Sequence, residues 1–249
     1  MTSSPDGIAS VHTKVTACRR CPRLVAWREQ AAHERVRRFA SSEYWGKGVP
    51  GFGDPRAELL IVGLAPAAHG ANRTGRMFTG DRSGEWLYRT LHRFGFATKP
   101  ESVSRTDSLR LVRCYITASV RCAPPGNKPS REEREACRPF LCSELSLLRR
   151  VRVIIGLGKI GFDAGLDAWS RVHSIRVQPK PRFGHGELYR IRNVHFVASY
   201  HPSQQNTFTG RLTPAMFDSV FATARGILLD ETDSAAPAAR TVAAESHQW

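Results

Sequence analysis

Residues 59–81 read LLIVGLAPAAHGANRTGRMFTGD, and the fold turns on how this stretch is read. Leu59-Leu60-Ile61-Val62 is an unbroken apolar run, the pattern of a strand buried on both faces. Apolar residues at helical spacing follow from Glu85 to Phe94, which predicts a helix. The segment between, Gly63 to Asp81, is therefore a loop at the carboxyl end of a parallel strand, where open α/β sheets place their chemistry. Strand-to-helix loops ordinarily run about two to six residues unless they carry function. Glycines at 63, 70, 75 and 80 let backbone amides approach a flat or anionic ligand, and His69, Asn72, Arg73, Arg76 and Asp81 crowd polar groups beside them.

The same alternation continues outward. Leu111–Val120, Val151–Gly156 and Val194–Ser199 read as further strands. Ser130-Arg-Glu-Glu133 is a capping box, opening a helix through Cys137, Cys142 and Leu148. Helices are also predicted around Ile160–Trp169 and from Thr213-Pro214 to about Leu229, with Pro214 in the favoured first turn. Leu24–Phe39 is basic and helix-prone, 43–56 reads as an irregular loop, and 171–192 as a hairpin or long loop. The class is α/β, with a parallel sheet of about four strands covered on both faces. Residues 1–14 read as a flexible N-terminus, 15–229 as one domain, and 230–249 as a disordered tail rich in Ala, Ser and Thr.

Lys and Arg total 37 against 22 Asp and Glu, a formal net charge of +15, which favours a polyanionic partner and phosphate backbones first. No apolar run approaches the roughly twenty residues that span a bilayer, and the N-terminus lacks the apolar core of a signal peptide. The expectation is a cytoplasmic protein whose six cysteines are metal ligands or buried thiols rather than disulfides. Cys18 and Cys21 form a CxxC; with Cys122 and Cys137 they supply four thiolates for zinc or an iron–sulfur cluster. Cys142 is the alternative fourth ligand, and Cys114 reads as a buried thiol.

Gly156-Leu-Gly158-Lys-Ile-Gly161 matches GxGxxG, yet a nicotinamide site expects an acidic residue about twenty positions on. Gln178 and Lys180 stand there, so the glycines are read as a tight strand-to-helix turn. A second polar loop, Tyr200 to Thr213, sits at another strand end and is expected to meet the Gly63–Asp81 loop at the sheet edge. It begins with His201, whose backbone Pro202 restricts, and contains Arg211 and Leu212, suited to gripping a phosphate and wedging a base stack.

Three segments together resemble the uracil-DNA glycosylase superfamily, and most closely its family five: Gly63–Asp81, Arg121–Pro129 (RCAPPGNKP) and His201–Thr213 (HPSQQNTFTGRLT). The resemblance extends from about Cys18 to Phe221. It implies a three-layer α/β/α fold around a four-stranded parallel sheet, and a structural [4Fe–4S] cluster on Cys18, Cys21, Cys122 and Cys137. It implies a monofunctional glycosylase that flips uracil from double-stranded DNA, hydrolyses the N-glycosidic bond and leaves an abasic site; a monomer is expected. Ala65 stands where many superfamily members have a water-positioning Asp or Asn, and Ala118 where family four reads the base edge with Asn. Both point to broader tolerance, with hypoxanthine, ethenocytosine and hydroxymethyluracil after uracil.

The roles that follow are expectations. Phe78 stacks on the everted base, or belongs to the core. Backbone amides of Gly63, Ala65 and Ala67, with Asn206, contact the base. His201 donates to the carbonyl oxygen where charge develops. Asp81 orients water or the cationic sugar, unless it merely serves the helix N-terminus. Arg73, Arg76, Arg211 and Leu212 meet DNA. Rival readings are a non-catalytic, metal-stabilised DNA-binding protein and a redox protein.

Overall fold

Strand residues of alternating parity feed two separate cores, and this fixes the layering. Leu59, Ile61, Ile116, Val153, Ile155 and Val197 face one core, whereas Leu60, Val62, Tyr115, Ile154, Phe196 and Ala198 face the other. Each buried aliphatic side chain contributes about 1.5–3 kcal/mol, so runs apolar at every position are stable only between two helical layers. The computed structural model describes residues 5–229 and 239–246.

The strands are β1 (Phe52–Gly53), β2 (Leu59–Gly63), β3 (Cys114–Ala118), β4 (Val153–Leu157), β5 (Ile175–Gln178), β6 (Leu188–Ile191), β7 (Val194–Ser199), β8 (Arg240–Thr241) and β9 (Ala243–Ser246). The helices are α1 (Pro5–Ala17), α2 (Pro22–Glu34), α3 (Ala71–Thr74), α4 (Arg82–Arg93), α5 (Arg131–Leu147), α6 (Gly158–Val172), α7 (Gln204–Phe208) and α8 (Pro214–Leu229). The main sheet runs β1-β3-β2-β4-β7-β6-β8; β5 and β9 pair separately. Its centre, β3-β2-β4-β7, is the expected four-stranded parallel set, while β1 and β6 add antiparallel. Helices α4 and α8 cover one face and α5 and α6 the other. No described helix is long and apolar enough to cross a membrane.

The termini depart from expectation. Residues 5–17 are helical rather than loose: Ile8, Val11 and Val15, spaced three and four apart, are buried on one face of α1. In the segment read as a disordered tail, 240–241 and 243–246 are strands, with Val242 buried and its amide donating to the Arg190 carbonyl. The rest of that tail lies outside the described residues. The segment 171–192 resolves into β5, β6 and their connection.

The GxGxxG glycines serve packing. A Cβ on Gly156 would strike the Phe162 backbone and one on Gly161 the Val62 carbonyl, while Gly158 turns the chain at φ 78°. They seat α6 against the sheet, as the tight-turn reading expects.

Candidate active site

The parallel strands end level with one another. Gly63 pairs with Ala118 and Leu157 with Ser199 in register, so the loops leaving β2, β3, β4 and β7 share one edge. The Ser119 amide and hydroxyl donate to the Gly63 and Leu64 carbonyls, tying β3's exit to the first loop. A Cβ on Gly158 would lie 3.5 Å from that of His201, so the β4–α6 turn adjoins the second loop.

The two polar loops meet in a pair of rings. Phe78 and His201 have centroids 5.7 Å apart and planes inclined by 29°. Phe78 holds φ 55°, a left-handed conformation that costs a bulky residue on the order of 1–3 kcal/mol and clusters at functional sites. Its neighbours enforce it. The ring lies against Gly63, and any side chain on Gly84 would strike the Phe78 carbonyl. Phe78 is buried, so it is both a core residue and a wall of the site.

His201 heads the second loop. Burial holds its imidazole at about 4, so it is neutral at physiological pH and carries one N–H donor. Asn206 donates from its side chain to the His201 carbonyl at 2.8 Å, pinning the backbone that carries the ring.

Asp81 is the N-cap of α4: one carboxylate oxygen accepts from the Gly84 amide at 2.9 Å. The other lies against Gly70, where a Cβ would collide with it. Burial raises its pKa, an effect that the Gly84 and Ser83 amides partly oppose. In the loop itself, Ala67 accepts from the Gly70 and Asn72 amides, and the amides of Ala65 and Ala67 donate to no other group among the described residues. The Ala65 methyl packs toward the core that contains Cys122 and Cys137. What Ala65 offers a ligand is its backbone.

The four residues assigned to DNA contact separate. Arg211 is exposed, its guanidinium 4.7 Å from the Tyr200 ring centroid. Arg73 is half-buried over Phe39 and donates to the His69 and Gly80 carbonyls, closing its own loop. Arg76 does not face a partner. It is buried, forms a bidentate pair with Asp107 at 2.6 and 2.8 Å, and donates to Ser102 and Thr79. Burial alone would raise the Asp107 pKa, but Arg76 and the amides of Val103, Ser104 and Leu109 outweigh it, leaving the group well below the usual carboxylate range. Leu212 is likewise no wedge: it is 1% exposed in the core.

Sequence reasoning passed over Phe208. It ends α7, is 65% exposed, and lies under the Arg82 guanidinium at 4.4 Å, so it joins the tips of both loops. The available signal was an aromatic residue in an otherwise polar loop. Tyr44 was also missed; its hydroxyl pairs with His69 Nδ1 at 3.1 Å.

Cys18, Cys21, Cys122 and Cys137 line one cavity, together with Leu24, Val25, Val120 and Phe140. Cys142 packs instead against the core beneath α6, so it is not the fourth member. Burial pushes the Cys137 thiol up to about 12, although Arg121 opposes it; a metal there must displace a proton. Two buried arginines flank the set. Arg28 donates to Cys122 Sγ at 2.9 Å, and the Arg121 amide donates to Cys137 Sγ at 3.3 Å. An apolar pocket of four sulfurs with cationic neighbours fits an anionic thiolate–metal group.

The sequence that builds this site matches known proteins. The family model described as the uracil DNA glycosylase superfamily matches residues 50–225. The chain belongs to that superfamily. A type-5 uracil-DNA glycosylase of Thermus thermophilus is 52% identical over 221 residues, 88% of this chain and 97% of that protein. One of Mycobacterium tuberculosis is 51% identical over 220 residues, 88% of this chain and 81% of that protein. A type-4 uracil-DNA glycosylase of Pyrobaculum aerophilum is 32% identical over 178 residues, 70% of this chain and 82% of that protein. Both polar loops, from Gly63 and from His201, fall inside the matched region.

Proposed function

We propose that this protein removes uracil from double-stranded DNA by hydrolysing the N-glycosidic bond, leaving an abasic site. The observation that carries the reading is the adjoining pair Phe78 and neutral His201 at the shared strand edge. The base is everted at a cost of a few kcal/mol and lies against Phe78, with the amides of Ala65 and Ala67 beside it. As the C1′–N1 bond breaks, the electron pair leaves with the base. The neutral His201 N–H donates to the carbonyl oxygen that gains the charge, a contribution of about 3 kcal/mol. Water adds to the cationic C1′, and the proton it loses is available to the departing base.

Ala65 has no group to hold that water, so Asp81 takes the role. Its raised pKa suits a proton acceptor, and its second oxygen lies toward Gly70 in the first loop. Phe208 takes the place first given to Leu212, filling the gap in the stack, while Arg82, Arg211 and the edge of Arg73 face phosphates. With alanine at 65 and 118 the pocket has few polar discriminators, which favours hypoxanthine, ethenocytosine and hydroxymethyluracil as further substrates. Cys18, Cys21, Cys122 and Cys137 hold a [4Fe–4S] cluster whose chemistry is structural. The protein acts as a monomer in the cytoplasm.

Alkali-labile strand breaks in a uracil-containing duplex test the activity, and a panel of singly modified duplexes tests the range. Asp81→Asn tests the carboxylate, because Asn caps a helix as well as Asp. Lost excision with an unchanged melting temperature supports Asp81; wild-type excision by this variant removes it.

A further inference from the structure

Arg28 carries a buried charge with no carboxylate in salt-bridge contact among the described residues; Glu29, on which it acts from further off, is paired with Arg19. It is 2% exposed, on the face of α2 that also buries Leu24, Val25 and Ala31. Its guanidinium donates to Cys122 Sγ at 2.9 Å and to the Cys18 carbonyl at 3.1 Å, and its Nε has no partner. Arg121, also buried beside the cysteines, is different: it is paired with Glu144 at 2.5 Å. A buried, unpaired charge costs several kcal/mol, so an arginine kept in this position requires an anion. The only anion its contacts offer is the sulfur set, because four thiolates give a bound metal group net negative charge.

The same residue reaches the catalytic edge. Asn72, fully buried in the first polar loop, donates to the Arg28 carbonyl at 3.1 Å and the Ala68 carbonyl at 3.3 Å. Alongside, the Trp45 and Gly46 amides donate to the Arg73 and Asn72 carbonyls, and Gly46 approaches Ala32 of α2 so closely that a Cβ would crowd it. The loop that carries Phe78 and Asp81 is thus laced to the helix that follows Cys21.

We propose that Arg28 is a positioning residue of the metal centre: it neutralises cluster charge through Cys122 and, through its carbonyl and Asn72, couples the centre to the Gly63–Asp81 loop. This rests on the reading of the four cysteines as a cluster site. Loss of a hydrogen bond and a positive charge disfavours the reduced, more negative cluster. Removing such an outer partner commonly weakens metal retention by about tenfold or more.

The test uses full-length protein purified without air, as wild type, Arg28→Gln and Arg28→Lys. Iron per chain, bleaching of the visible absorbance by an iron chelator, and the midpoint potential are measured for each. Arg28→Gln is expected to bleach about tenfold faster with a more negative midpoint. Arg28→Lys, which keeps the charge but not the forked geometry, is expected to lie between it and wild type. Either variant at wild-type values on both readouts overturns the role of Arg28, and Arg28→Lys carries the test if Arg28→Gln does not fold. Wild-type protein without iron sinks the cluster reading itself, a distinguishable result. Asn72→Ala is expected to keep iron and midpoint unchanged while its first loop is cut faster by protease; unchanged protection would refute the coupling.

Discussion

Single side chains decide the chemistry. His201 is held at about 4 by burial, below the ordinary 6.5. Between those values an unfolded chain binds a proton that the folded chain refuses. The His201 contribution to stability is therefore flat above pH 6.5 and is lost as pH drops toward 4. The imidazole should stay neutral at pH 5.5, and an NMR titration of the ring checks this; a midpoint near 6.5 would contradict it. Arg76 and Arg211 make a second contrast. Arg76→Met leaves Asp107 without its partner and should cost about 3 kcal/mol of stability, read in denaturant melts, without altering the salt dependence of DNA binding. Arg211→Ala should leave stability unchanged and reduce the slope of log K against log salt by about one. Both arginines are equally basic in the sequence. Only the position of Asp107, brought close by the fold, separates them. Leu212 was misplaced for the same reason: packing just ahead of helix α8 puts it in the core, and the sequence does not show which apolar residue of a loop the fold will bury.

At the scale of elements, local signals were legible where they are self-contained. The Ser130 capping box forms as expected, with the Ser130 hydroxyl accepting from the Glu133 amide at 3.2 Å and the Glu133 carboxylate accepting from the Ser130 amide at 2.7 Å. Ser130→Ala should destabilise α5 by about 1 kcal/mol, measurable in thermal melts. A shift within error would mean the Arg23–Glu133 pair alone anchors this helix end. The four parallel strands were readable because burial on both faces leaves uninterrupted apolar runs. Helix α1 was not, because only Ile8, Val11 and Val15 mark its face amid Thr, Ser and Lys. Strands β8 and β9 add to edges through backbone pairing, which selects few side chains. Asp81 shows the capping function that was expected as the alternative to its catalytic one: its carboxylate accepts from the Gly84 amide at the start of α4.

Across the whole molecule, the formal charge of +15 suits a phosphate-rich partner, and the strand edge sets where that partner is engaged. The sequence named both polar loops and the sheet edge where they meet, but not the ring pair that joins them, because that contact depends on β7 pairing beside β4 more than a hundred residues away. The resulting Phe78–His201 contact is the centre of the account. Single-turnover release of uracil from a duplex by His201→Ala, with duplex affinity measured separately, tests it most directly. The expected result is a rate lower by about 10²–10³-fold with affinity nearly unchanged. A wild-type rate in that variant would contradict the account, since the two loops would then meet without sharing the reaction.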